Sequence, residues 1–106
     1  MWVRFPPGPQ KQLNFINLDF IVEIYIVYAI QSEKDGRIYV GFSSNVITRL
    51  AQHNSGKTKS TKAYIPWILI YQEEVEGREH ARKREVYLKS GVGKEFLKSN
   101  FKQIDR

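Results

Sequence analysis

Five side chains of this 106-residue sequence have types and spacings suited to chemistry: Tyr28, Tyr39, Arg49, His53 and Glu85. Glu85 is the most informative. In the helical projection of residues 78–89 (REHARKREVYLK) it shares a stripe with Ala81 and Leu88, the stripe that should face a sheet. A carboxylate there must find a cation, a hydrogen-bond donor or a metal, because burying it unpaired is prohibitively costly. From the residues alone the choice stays open, since a salt bridge to Arg82 or Arg49 would serve as well as a metal. Arg49 and His53 stand with Asn45 at i, i+4 and i+8 on one face of another expected helix, where the ordinary reading is a solvated surface. The chain has no cysteine, which excludes disulfides, thiolate zinc sites and thiol nucleophiles; any reaction must use oxygen and nitrogen ligands. Seventeen Lys and Arg against eleven Asp and Glu give a net charge of +6, a field suited to a polyanion such as nucleic acid and equally to simple solubility.

The elements that must position these groups follow from local pattern. Residues 24–30 (IYIVYAI) are β-branched and aromatic, as in a buried strand. SEKDG ends in Asp35-Gly36, a hairpin signal because glycine supplies positive φ, and residues 37–41 (RIYVG) return antiparallel. With a period of two, Tyr28 shares a face with Ile26 and Ile30, and Tyr39 shares one with Gly41, so the two tyrosines can converge. Ser43, Ser44 and Asn45 offer caps for a helix beginning near Val46, with Ile47, Leu50 and Ala51 as its expected core stripe and Ser55-Gly56 as its end. Residues 57–64 (KTKSTKAY) read as a flexible basic loop, and residues 67–72 (WILIYQ) as a third strand. Gly77 opens the helix that carries Glu85, and residues 93–101 form a short terminal helix. The expected architecture is α/β of the α+β kind: a small three-stranded antiparallel sheet flanked by helices. Residues 1–23 read as a partly irregular N-terminal extension, 24–100 as the domain and 101–106 as a tail.

Taken together, the motifs closely resemble the GIY-YIG nuclease family, in particular its small stand-alone bacterial members related to the amino-terminal incision domain of the bacterial excision-repair nuclease. The likeness runs from Tyr25 to about Leu97. Ile26-Val27-Tyr28 represents the first motif, with isoleucine where the namesake glycine stands, and Tyr39-Val40-Gly41 the second. Asp35-Gly36, Gly41-Phe42-Ser43 followed by Asn45 and Arg49, and His53-Asn54-Ser55-Gly56 continue it. Ser60-Thr61-Lys62 with Pro66, and Arg84-Glu85 with Leu88-Lys89-Ser90-Gly91, complete it. Each match is weak alone; their order and spacing over some seventy positions make the pattern specific. The family's closing asparagine has no secure counterpart, Asn100 being a candidate by position only.

The resemblance implies hydrolysis of a DNA phosphodiester at a single Mg²⁺ or Mn²⁺. Tyr28 would activate or orient the attacking water, Tyr39 line the same cleft, Arg49 contact the scissile phosphate, His53 assist near the nucleophile, and Glu85 bind the metal. Gly41 and Asn45 are motif positions with structural roles. A planar arginine and a hard ion would stabilise the charge a phosphodiester gains in its transition state. They would also lower a tyrosine pKa that ordinarily lies near 10. Lys57, Lys59, Ser60, Thr61, Lys62 and Arg82 are the expected DNA contacts, holding phosphates without reading sequence. The cleavage expected is structure-selective or weakly sequence-selective, with room for a separate protein that targets it. The alternative is a non-catalytic nucleic-acid-binding module using the same basic face, and a third reading is an interaction protein with an inactive cleft. No apolar run approaches the length of about 20 residues that a bilayer needs, so the expected compartment is the cytoplasm and the default state a monomer.

Overall fold

A computed structural model describes residues 22–100; the expected N-terminal extension lies outside them apart from its last two residues, as does the tail at 101–106. Strand β1 (Ile24–Ser32) turns through Asp35-Gly36 into β2 (Ile38–Ser43), and β3 (Trp67–Glu76) pairs with the other side of β1. The sheet is antiparallel throughout, in the order β2-β1-β3. Helices α1 (Val46–Asn54), α2 (Arg78–Lys89) and α3 (Gly91–Asn100) flank it, as the sequence reading expects.

The central strand is buried on both faces, which explains why residues 24–30 read as a continuous apolar run. Ile26, Tyr28 and Ile30 pack with Val46 and Trp67 beneath α1. Val27 and Ala29 pack with Ala81, Leu88 and Leu97 of α2 and α3 on the opposite face. Gly93 permits the close contact of α3 with α2, because a Cβ there would run into the backbone at Tyr87 and Leu88.

The expected inner stripe of α1 is displaced. Ile47 is 68 % exposed and Ala51 is also exposed, whereas Val46, partly buried Leu50 and His53 face the sheet. An apolar periodicity cannot find this face, because one of its members is a histidine whose burial depends on hydrogen bonds. Strand β3 is four residues longer than expected, for a related reason. Its polar continuation (EEVE) completes the ladder with Ile24–Val27, and the buried Glu73 accepts from the Arg84 guanidinium at 2.5 and 2.9 Å and from the Tyr71 hydroxyl. Glu73 raises the pKa of Arg84 well above its ordinary range, so this pin between β3 and α2 stays charged.

Candidate active site

The candidate residues gather about Tyr28 of β1, between β2 and α1, where the tyrosine side chain is almost wholly buried. Tyr28 pairs with Gly41, and Ile30 with Tyr39, so both tyrosines lie on the α1 face as their alternation requires. Gly41 is what lets the Tyr28 ring lie across β2. A Cβ at position 41 would stand 2.8 Å from the Tyr28 hydroxyl oxygen, 3.0 Å from Tyr28 Cζ and 3.3 Å from Tyr39 Cε2. The glycine thus makes room for a tyrosine hydroxyl rather than for helix–strand contact. Gly41→Ala is therefore expected to push the phenol aside, and the overpacking to cost the fold about 1–3 kcal/mol, which a thermal melt checks.

On α1, Asn45 occupies the N-cap and accepts from the Thr48 amide at 3.1 Å, fixing where the helix begins. At the other end Asn54 accepts from the Trp67 amide at 2.6 Å and donates to the Trp67 carbonyl at 2.9 Å, tying α1 to the start of β3. Between these anchors His53 is wholly buried. Its Nδ1 lies 2.9 Å from Thr61 Oγ1 and its Nε2 lies 3.0 Å from the Tyr28 hydroxyl. Thr61 Oγ1 donates to the Thr58 carbonyl, which leaves it to accept from Nδ1–H. The network therefore assigns the neutral tautomer with a bare Nε2, and the Tyr28 hydroxyl donates to it. Tyr39 lies edge-on to the His53 ring, with centroids 5.0 Å apart.

Electrostatics agree with that assignment. Burial and then the Arg49 charge hold the His53 pKa down to about 4, so the imidazole is neutral near pH 7. The unfolded chain, with an ordinary histidine, takes up the proton from about pH 6.5 downward. Stability should therefore be at its full value above pH 6.5 and fall by on the order of 3 kcal/mol between there and pH 4. Urea unfolding across that window, compared with His53→Gln, isolates the contribution; equal slopes for the two proteins would contradict it.

Without a metal the phenol of Tyr28 is held neutral. Burial pushes its pKa up to about 12, with Arg49 opposing and Tyr39 and Glu85 adding to the rise. Desolvation outweighs the arginine, so in the protein alone the phenol is neutral and more reluctant to ionise than a free tyrosine. The Glu85 carboxylate is near enough for its charge to act on the Tyr28 hydroxyl, although the two groups belong to helices and strands far apart in sequence.

Glu85 is only partly buried and pairs with Lys89 at 3.2 Å, not with Arg82 or Arg49. The carboxylate buried under α2 is Glu73, which the sequence reading missed because a glutamate in a polar stretch carries no local signal. Arg49 donates to Gln52 at 2.8 Å and is half-buried. Among the described residues no three or more His, Asp or Glu gather into a cluster able to hold a metal. A divalent ion at Glu85 would have one protein carboxylate and fill its other positions with water and phosphate oxygens, a donor set that suits a hard ion such as Mg²⁺.

The expected DNA contacts divide. Lys57, Lys59, Ser60, Lys62 and Arg82 are exposed. Thr61 is not: it is fully buried against His53 and also accepts at its carbonyl from the Trp67 indole at 2.9 Å, so it cannot touch a phosphate. Its segment is wound rather than loose, with Thr61 and Lys62 amides both bonded to the Thr58 carbonyl ahead of a 3₁₀ turn at Lys62–Tyr64. The side chain of Asn100 lies outside the described residues.

A three-stranded α+β domain with two tyrosines on neighbouring strands and a histidine and an arginine of α1 beside them defines a narrow class. The GIY-YIG catalytic domain family matches residues 24–99, and the chain belongs to that family. It is 37 % identical over 75 residues to a UPF0213 protein of Staphylococcus haemolyticus, covering 70 % of this chain and 90 % of the relative. A UPF0213 protein of Staphylococcus saprophyticus is 37 % identical over 76 residues, covering 71 % and 88 % respectively. One of Streptococcus pneumoniae is 39 % identical over 71 residues, covering 63 % and 72 %. No solved structure matches the chain. Among the described residues no helix is long and apolar enough to cross a membrane.

Proposed function

We propose that the protein is a divalent-metal-dependent DNA endonuclease that hydrolyses phosphodiester bonds, with chemistry akin to that of the amino-terminal incision domain of the bacterial excision-repair nuclease. The observation that carries this reading is the buried chain from Thr61 through His53 to the Tyr28 hydroxyl, which joins the motif tyrosine to a neutral imidazole able to take its proton. A water approaches phosphorus beside Tyr28. As its oxygen bonds to phosphorus, its proton passes to the Tyr28 oxygen while the Tyr28 proton passes to His53 Nε2. Passing the proton on as it arrives spares the site a free phenolate, and the growing phosphate charge offsets the Arg49 field that holds the His53 pKa down to about 4, so that the imidazole can take the proton. Thr61 holds Nδ1 protonated, so the incoming charge is shared over both ring nitrogens. Arg49 donates to the non-bridging oxygens as their charge grows. The P–O bond to the leaving nucleotide breaks, and its oxygen takes a proton from solvent; His53 then returns its own. Mg²⁺ or Mn²⁺ at Glu85 would supply positive charge to the phosphate during this step.

Exposed lysines at 57, 59 and 62 with Arg82 supply contacts that position DNA without specifying sequence. A structure-selective or weakly selective nuclease in a bacterial cytoplasm, directed by a separate protein, fits that surface. Purified protein incubated with supercoiled, branched and single-stranded DNA in Mg²⁺, Mn²⁺ or EDTA tests the reading. Cleavage that EDTA abolishes supports it. Full-strength DNA binding with no cutting of any substrate would establish a non-catalytic binding module instead.

A further inference from the structure

A groove of about 350 Å³ opens beside the start of β2, lined by Gly36, Arg37, Ile38, Lys94 and Lys98. Its charge is unbalanced. Arg37 is held by Asp35 at 2.8 Å and stacks on the Tyr64 ring at 3.5 Å, so its charge is largely answered. Lys94 and Lys98 make no ion pair among the described residues. They stand at i and i+4 on α3, an arrangement of like charges that weakens a helix unless an anion lies between them. Among the described residues no acidic side chain lines the groove, and Asp35, next to Gly36 in sequence, is engaged by Arg37 through both the side chain and the backbone amide.

Position and charge give the groove a partner. Strand β2 is an edge of the sheet, and the groove lies at its start beside α3, whose Leu97 packs on the sheet face opposite Tyr28. We propose that Lys94 and Lys98 grip a backbone phosphate of the bound DNA away from the reactive one. This anchor is separate from the exposed lysines of segment 57–62. It rests on the nuclease reading for its substrate, and it holds the DNA without contributing to the chemical step.

The test measures binding without cutting, by titrating a fluorescent branched DNA in EDTA at several salt concentrations. The Lys94→Ala/Lys98→Ala double variant is expected to bind about tenfold more weakly, with a salt slope lower by about 1 to 2, while the Lys94→Arg/Lys98→Arg variant stays within twofold of wild type. A set of duplexes with one neutral methylphosphonate each should contain a linkage that weakens wild-type binding and leaves the alanine variant unaffected. Equal affinities and slopes for wild type and the alanine variant would overturn the groove, even if the protein cuts DNA. Lysine-dependent binding without cleavage in Mg²⁺ would sustain the groove and remove the nuclease. A wild-type protein that binds no DNA removes both.

Discussion

Replacing Glu85 by glutamine is expected to leave a folded protein whose cleavage rate falls by about 10²–10⁴-fold, the scale on which removal of a transition-state charge stabiliser acts. Glutamine keeps the shape of the side chain and loses the charge that a hard cation at this position would draw on. The cost to stability is small. The pair with Lys89 is a surface i,i+4 contact at 3.2 Å with a lysine that is half exposed, worth roughly 0.3–0.5 kcal/mol at most. Rate and melting temperature should therefore separate: activity disappears, the melt hardly moves, and raising Mg²⁺ restores part of the rate if the deficit is metal affinity. A Glu85→Gln protein that cuts at the wild-type rate would show that this carboxylate is only a salt-bridge partner.

Tyr28→Phe should lose a similar factor, about 10²–10⁴, because it removes the oxygen through which the proton of the attacking water would pass. Here the two readouts move together. The ring still fills the space over Gly41, but His53 Nε2 loses the donor 3.0 Å away and becomes a buried acceptor with nothing to accept from. That should cost about 1–3 kcal/mol. Rates measured well below the lowered melting temperature distinguish lost chemistry from lost fold. DNA affinity should stay close to wild type, since Arg49 and the lysines are untouched.

The elements were largely legible in the chain. The Asp35-Gly36 turn, the alternation in β1 and β2 and the Gly77 opening of α2 all carry local physical signals, and each element formed where those signals lie. What escaped was set by partners remote in sequence. His53 reads as a surface residue until Tyr28 and Thr61 supply its hydrogen bonds, and its burial in turn rotates α1 so that Ile47 faces water. Glu73 reads as solvated until Arg84 and Tyr71 reach it from the same face, and Thr61 reads as a loop contact until Trp67 covers it. In the site, Tyr28, Tyr39, Arg49 and His53 lie together, and without a metal burial outweighs the Arg49 charge and keeps the phenol neutral. Alternation places a tyrosine on a face; it carries no information on how much water α1 leaves there.

The central claim is that groups from β1, α1 and α2 act in one reaction step, and a double-mutant cycle tests it most directly. Single-turnover cleavage of a branched DNA should be measured for wild type, Tyr28→Phe, Glu85→Gln and the protein carrying both changes, at saturating enzyme and Mg²⁺. Groups that serve one transition state are strongly non-additive, so the double variant should be scarcely slower than the slower single one. Losses that multiply, or four proteins that release product equally fast, would mean that the two side chains do not share a reaction.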